Sequence, residues 1–441
     1  MPNPKLDLSA LVRLQRRRRD VASRAGGTGG GNALTEVTGF GSNPGALRMM
    51  VHVPADLPRG APLVVALHGC TQTAAAYDHG CGWSSLADRL GFAVLLPEQQ
   101  RANNASLCFN WFEGGDIARG AGEAQSIRQM VAQMLEAHAI DPARVFVTGL
   151  SAGGAMTAVM LAAYPETFAG GAIIAGLPYG AGLGVAEALR AMSRPPALSP
   201  AERGTAVRAA SPHRGPWPRV AVWHGDADTT VAPDNAGESV KQWLNLHGLD
   251  AARPATERGS SVDTHLAWRA PDGTVRVESH RIAGMGHGVP LRPGEGGQRA
   301  GVAGAYMLDV GVSSTHAILD FWGIDTAAER AAAPRPAEAP PPRPAASPTP
   351  APAREPAHAA AGPAQAPAAE PAWARRAAPG GTQGPVTRMP GAAGGPASPF
   401  GDPSSLFGNA GSLLGDPGET IKRALRAAGL MGDKGEEHPR R

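Results

Sequence analysis

The sequence predicts an α/β fold: a mostly parallel sheet with helices on both faces. Three observations predict it. Short β-branched or apolar runs alternate with helix-like stretches between about residues 46 and 322, the pattern of a parallel sheet with crossover helices. Two of the runs, residues 62–67 and 92–96, are almost wholly apolar, as strands buried on both faces are. Finally, residues 145–148 form a β-branched and aromatic run that leads into Gly149-Leu-Ser151-Ala-Gly153 and then an Ala- and Met-rich segment. Strand, Gly-flanked turn and helix follow one another there without a spacer.

Taken in order, residues 46–53 read as a strand ended by Pro54, and 62–67 as a second that runs into His68-Gly69-Cys70. Residues 83–90 read as a helix, and 92–96 as a third strand closed by Pro97. Residues 120–138 carry Ile127, Met130, Val131, Met134 and Leu135 at helical spacing, one apolar stripe for the core. The strand that leads to Ser151 follows, and then a helix over 155–163 stopped by Pro165. Further strands are expected at 168–175 and 219–223, a helix at 239–246, a last strand at 275–282 and a closing helix at 313–322. In open parallel sheets the reactive residues lie beyond the carboxyl ends of the strands. That places the turns after 150, 223 and 282 under scrutiny.

The turn at Ser151 fits G-x-S-x-G, in which a serine hydroxyl stands at the apex of a sharp strand-to-helix turn. The turn after 223 reads His224-Gly-Asp226-Ala-Asp228, and the one after 282 reads Gly284-Met-Gly-His287-Gly. The chain order is Ser, Asp, His, as in α/β-hydrolases. A serine hydroxyl needs an imidazole to take its proton and a carboxylate to orient that imidazole. Ser151 is the expected nucleophile, His287 the general base and Asp228 its partner. Asp226 reads instead as a turn residue bonding its own backbone. His224, His265, His280 and His316 compete with His287, but His224 precedes the acidic turn, His280 sits within a strand and His316 in the closing helix. Acyl transfer also needs two N–H donors for the oxyanion, expected from Ala152 and from Cys70 in the loop after the second strand. The triad supplies nucleophile and base, so no metal or organic cofactor is expected for the reaction.

Composition bounds the remainder. The chain has 441 residues, a net charge of +3 and three cysteines, Cys70, Cys81 and Cys108. The small charge makes no case for a nucleic-acid partner, and no run approaches the 18 apolar residues of a membrane span. The cysteines allow one disulfide with a free thiol, or three thiols. Residues 1–33 read as a basic peripheral segment with Arg16 to Arg19 in a row, and no recognisable export signal is seen. The compact α/β domain is expected over 34–325. Residues 326–400 are dominated by Ala and Pro and read as a disordered linker. Residues 401–441 include a short amphipathic helix near 416–428, a candidate for contact with a protein or a hydrophobic granule.

Six separated blocks carry a resemblance: Leu67-His-Gly-Cys-Thr-Gln72, Pro97-Glu-Gln99, Cys108-Phe-Asn-Trp-Phe112, Gly149-Leu-Ser-Ala-Gly-Gly154, Gly176-Leu-Pro-Tyr-Gly180 and Trp223-His-Gly-Asp-Ala-Asp228. In these, residues 35–324 resemble the polyhydroxybutyrate depolymerase family of esterases. The resemblance implies an α/β-hydrolase fold and ester hydrolysis through an acyl-enzyme. It supports Ser151, Asp228 and His287 as triad, and Cys70 and Ala152 as oxyanion donors. The substrate it implies is a short hydroxyalkanoate polyester or oligomer, with acetylated or feruloylated polysaccharide and small esters as alternatives. Trp111 and Tyr179 are expected to line a substrate cleft. Secreted depolymerases are often exported and joined to a polymer-binding domain; here an Ala/Pro tract stands in that place. A non-catalytic scaffold, working through its basic head and Pro-rich tail, is the rival of a different class. It is disfavoured because all three triad residue types occur at suitable positions.

Overall fold

The computed structural model describes residues 34–324. The expected basic segment 1–33, the Ala/Pro tract 326–400 and the helix near 416–428 lie outside the described residues. The elements are β1 (Thr35–Val37), β2 (Arg48–His52), β3 (Ala61–Leu67), α1 (Ala74–Cys81), α2 (Trp83–Leu90), β4 (Ala93–Glu98), α3 (Gly114–Ile117), α4 (Gly122–Ala137), β5 (Ile140–Leu150) and α5 (Ala152–Ala163). They continue with β6 (Gly170–Ile174), α6 (Gly184–Ser193), α7 (Pro200–Ala209), β7 (Arg219–Gly225), α8 (Asp234–His247), β8 (Thr256–Gly259), β9 (Asp263–Arg269), β10 (Val275–Ile282), β11 (Val289–Leu291), β12 (Met307–Asp309) and α9 (Ser314–Phe321).

Ten strands form one sheet in the order β1-β2-β4-β3-β5-β6-β7-β10-β9-β8. From β4 to β10 every neighbouring pair is parallel, and both flanks are antiparallel. The alternation of the pleat divides the core. Leu63, Val65 and Leu67 of β3 join one cluster with α4, α5 and α8, while Val64 and Ala66 join the other with α1, α2 and α9. All seven residues of β3 are buried, which is why its sequence does not alternate. The stripe on α4 faces the first cluster: Ile127, Met130, Val131 and Met134 are at most 1 % exposed.

The chain runs β3 to β4 in one direction, then crosses back past β3 to β5. The crevice at such a reversal lies beyond the strand ends. Cys70 follows β3 and Ser151 follows β5, so both stand at this reversal.

Several elements differ from their expected form. Pro97 does not close its strand: β4 continues to Glu98, with Pro97 opposite Met49 of β2. The ladder to β3 ends at Leu95, so the missing proline N–H is not needed on that side. Helices α1 and α7 had no strong apolar period. Helix α7 is instead started by a capping box, in which the Ser199 hydroxyl accepts from the Glu202 N–H and the Glu202 carboxylate from the Ser199 N–H. Strand β8 is the mostly exposed edge of the sheet and its neighbour β9 is partly exposed, both rich in polar residues, so no apolar run marked them. Strand β10 is not the last, because β11 and β12 form a small parallel pair after it.

Candidate active site

Ser151 sits between β5 and α5 with φ 58° and ψ −116°. A non-glycine residue in this region costs roughly 1–3 kcal/mol and persists only where its surroundings hold it. Its N–H donates to Ile174 O at 2.9 Å, and its carbonyl accepts from Ala155 at 2.8 Å. The flanking glycines are forced by backbone contacts. A Cβ on Gly153 would stand 2.2 Å from Leu67 O, and one on Gly149 would stand 2.4 Å from Gly153 O. The sharp turn, β3 and the head of α5 therefore pack backbone to backbone.

His287 Nδ1 lies 2.7 Å from Asp228 Oδ2. A carboxylate only accepts, so Nδ1 carries the proton and Nε2 keeps its lone pair. The other oxygen of Asp228 accepts from Thr230 N at 2.8 Å and Val231 N at 2.9 Å. His224 Nε2 donates to Val231 O at 2.9 Å and lies 3.3 Å from Asp228 Oδ2. Burial raises the Asp228 carboxyl, but hydrogen bonds from His224 and His287, with the backbone at Val231, outweigh it and hold it well below the usual carboxylate range.

Asp226 does not cap its own turn. Its Oδ1 accepts from Gly284 N at 2.6 Å, in the loop that leads to His287. Asp226 N donates to Ile282 O at 3.0 Å and Ala227 N to Met285 O at 3.1 Å. The turn carrying Asp228 and the loop carrying His287 are thereby laced together. The local self-capping expected of Asp226 falls to Asp228, because the lacing points the Asp226 side chain across the gap.

Cys70 and Cys108 form a disulfide, and Cys81 is a free, buried thiol. The loop after β3 is held from below by His68. Its Nε2 accepts from Gln99 N at 3.1 Å, so Nδ1–H donates to Gly69 O at 2.8 Å. Burial lowers the affinity of His68 for a second proton, which keeps that tautomer in place. Gln72 Oε1 accepts from Gly69 N at 2.8 Å. Ala152 is the first residue of α5, so its N–H has no intrahelical acceptor. Among the described residues, no acceptor takes the Cys70 N–H either.

One cleft, open to solvent, is lined by Cys70, Gln72, Ser151, Met192, Thr230, His287 and Tyr306 among others. Ser151, His287 and Cys70 thus share a cavity, with Asp228 directly behind the imidazole. Trp111 and Tyr179 are not among its lining residues, contrary to expectation. Trp111 is 8 % exposed and packs edge-on against Phe112 in the core. Tyr179 packs against the same cluster, its backbone clasped on both sides by the Gln242 amide. The aromatic at the cleft is Tyr306, whose ring stands edge-on to His287 at 6.2 Å. It comes from a segment without a periodic signal and Met192 from the end of α6, whereas Gln72 lay in the same block as Cys70.

Residues 48–264 match the family model described as Esterase PHB depolymerase. The chain is 50 % identical over 293 residues to poly(3-hydroxyalkanoate) depolymerase C of Paucimonas lemoignei, covering 66 % of this chain and 70 % of that one. The chain belongs to the PHB depolymerase family of esterases. Further relatives widen the family. Acetylxylan esterase A of Aspergillus oryzae is 31 % identical over 284 residues, 63 % of this chain and 89 % of its own. Feruloyl esterase B of Neurospora crassa is 35 % identical over 265 residues, 58 % and 89 %. Among solved structures, an acetyl xylan esterase from Aspergillus awamori superposes with TM-score 0.56 at 25 % identity, over 67 % of this chain and all of that one. The enzyme is a carboxylic-ester hydrolase.

Proposed function

We propose that the enzyme hydrolyses poly(3-hydroxybutyrate)-type polyesters or their oligomers through an acyl-enzyme on Ser151. The observation that carries this reading is the relative that is half identical, a poly(3-hydroxyalkanoate) depolymerase. The two chains align over 293 residues, two thirds of this one.

In this reading Ser151 Oγ attacks the ester carbonyl while His287 Nε2 takes its proton. Asp228 stabilises the resulting imidazolium. The tetrahedral oxyanion is met by the N–H groups of Ala152 and Cys70, which α5 and the disulfide-held loop leave without acceptors. Collapse breaks the ester C–O bond, and His287 returns the proton to the departing hydroxyl. Water then attacks the acyl-enzyme by the same route, releasing the acid and free Ser151. Met192, Tyr306 and Thr230 at the cleft meet the acyl chain.

A second reading, removal of acetyl or feruloyl groups from carbohydrate, is favoured by the acetylxylan and feruloyl esterases among the relatives. A panel decides between them: release of 3-hydroxybutyrate from its oligomers, acetate from acetylated xylan and ferulate from a feruloyl ester. Highest kcat/KM on the oligomers is expected, and higher values on either carbohydrate ester would reassign the substrate. The proposed domain limits and a granule-contacting tail are tested by removing residues 326–441. Soluble-ester turnover is expected to persist while binding to polymer granules falls. A truncated chain that fails to fold would refute the boundary.

A further inference from the structure

On the sheet flank remote from Ser151, three side chains meet without any assigned role. Glu278 and His280 lie two residues apart on β10 and so share a face. His265 of β9 is the direct cross-strand partner of His280. His265 Nε2 stands 3.5 Å from Glu278 Oε1, and His280 Nε2 stands 3.7 Å from Glu278 Oε2. One ligand atom from each of the three lies within 4.8 Å of the others.

We propose that His265, Glu278 and His280 form a binding site for a divalent transition-metal ion of the Zn²⁺ class. Three features carry this. First, both Nε2 atoms are buried and have no hydrogen-bond partner among the described residues, an arrangement that is costly unless something fills it. The separations from Glu278 are too long for good hydrogen bonds. They approach the roughly 3.4 Å between ligand atoms that bonds of about 2.0–2.1 Å impose around a tetrahedral Zn²⁺. Second, His280 Nδ1 lies 2.9 Å from Asp263 Oδ2. The carboxylate holds the proton on Nδ1 and leaves Nε2 as a lone-pair donor, the outer support that metal-bound histidines commonly have. Third, the ring of His280 is fixed. It stacks on Trp223 at 3.6 Å and 2°, and His265 stacks on its other side at 4.2 Å and 6°. The stack keeps the two lone pairs close to parallel, so coordination requires His265 to tilt out of it. His265 is the ring with room to do so, at 21 % exposed against 7 % for His280.

Two imidazoles and a carboxylate are borderline ligands that suit Zn²⁺ over Ca²⁺ or Mg²⁺. Three protein ligands leave a fourth position for water. An ion there joins β9 to β10, the strand that leads into the His287 loop, so its expected effect is on stability rather than on the chemical step.

The test uses the full chain, without a histidine tag and stripped with a chelator, in equilibrium dialysis against Zn²⁺ alone. Wild type is expected to hold one more ion per chain than His265→Gln or Glu278→Gln, and Asp263→Asn to bind about 10- to 100-fold more weakly. Added Zn²⁺ should raise the unfolding midpoint of wild type by a few degrees and leave His265→Gln unmoved. The partly exposed His265 makes that variant safe if Glu278→Gln fails to fold. Equal Zn²⁺ in wild type and His265→Gln, or an equal shift of midpoint, would overturn the site.

Discussion

The Asp226 carboxylate accepts a 2.6 Å hydrogen bond from the backbone N–H of Gly284, tying the turn of Asp228 to the loop of His287. Neither residue reaches the cleft. Both fix the two loops whose tips make the 2.7 Å contact of Asp228 with His287. Replacing Asp226 by Ala is expected to lower kcat about tenfold with KM little changed, the size of effect that losing one charge-assisted bond allows. Asp226→Asn, which keeps an acceptor oxygen, should recover most of the loss. Steady-state kinetics of both variants on a soluble ester provide the check, and equal losses in the two would contradict a positioning role.

How the sequence spoke about this pair is instructive. The strands of the parallel block were legible because burial on both faces leaves uninterrupted apolar runs, as in β3 and β4. The Ser151 turn was legible because its glycines answer backbone contacts that no side chain permits. Asp226 was misread because Asp after a strand is compatible with self-capping, and only the distant Gly284 decides otherwise. Trp111 and Tyr179 were misplaced for the same kind of reason. An aromatic near a strand end serves cleft or core equally well, and its neighbour Phe112 or the Gln242 amide settles which. Tyr306 was missed because β11 and β12, which bring it to His287, are three residues each.

The groups around Ser151 should behave as one unit. Ser151→Ala and His287→Ala are each expected to reduce kcat by several orders of magnitude, and the double variant by little more than either. Asp228→Asn should cost about 10³- to 10⁴-fold, since it removes the acceptor that fixes the His287 tautomer. Losses that multiply across the double variant would argue that the two act separately.

The disulfide closes a loop between residues 38 apart in sequence. Chain-entropy arguments put its contribution at up to about 4 kcal/mol. Cys108→Ser should lower stability by about 2–4 kcal/mol in denaturant titration. It should also lower kcat more than it raises KM, because the freed loop carries the Cys70 N–H. A destabilised variant with unchanged kcat would separate the bridge from the chemistry.

Glu123 is fully buried and accepts from Asn110 N and the Gln99 side chain. Burial, with Asp116 nearby, raises its carboxyl from 4.5 to about 8 against those hydrogen bonds. Between these values the unfolded chain loses a proton that the folded chain keeps. This contribution to stability is therefore full below about 4.5 and declines as pH rises towards 8. Glu123→Gln cannot ionise, so its advantage over wild type should grow with pH, by at most about 1.4 kcal/mol per unit. Unfolding titrations at pH 5, 6.5 and 8 read this directly, and parallel curves would contradict it.

Every step of the proposed chemistry depends on the hydroxyl of Ser151 being the atom that is acylated. A fluorophosphonate probe followed by peptide mass spectrometry measures that atom's reactivity. One adduct per chain is expected, on the peptide containing Ser151, with none on Ser151→Ala and little on His287→Ala. Labelling of another residue, or equal labelling of the Ser151→Ala chain, would contradict the account.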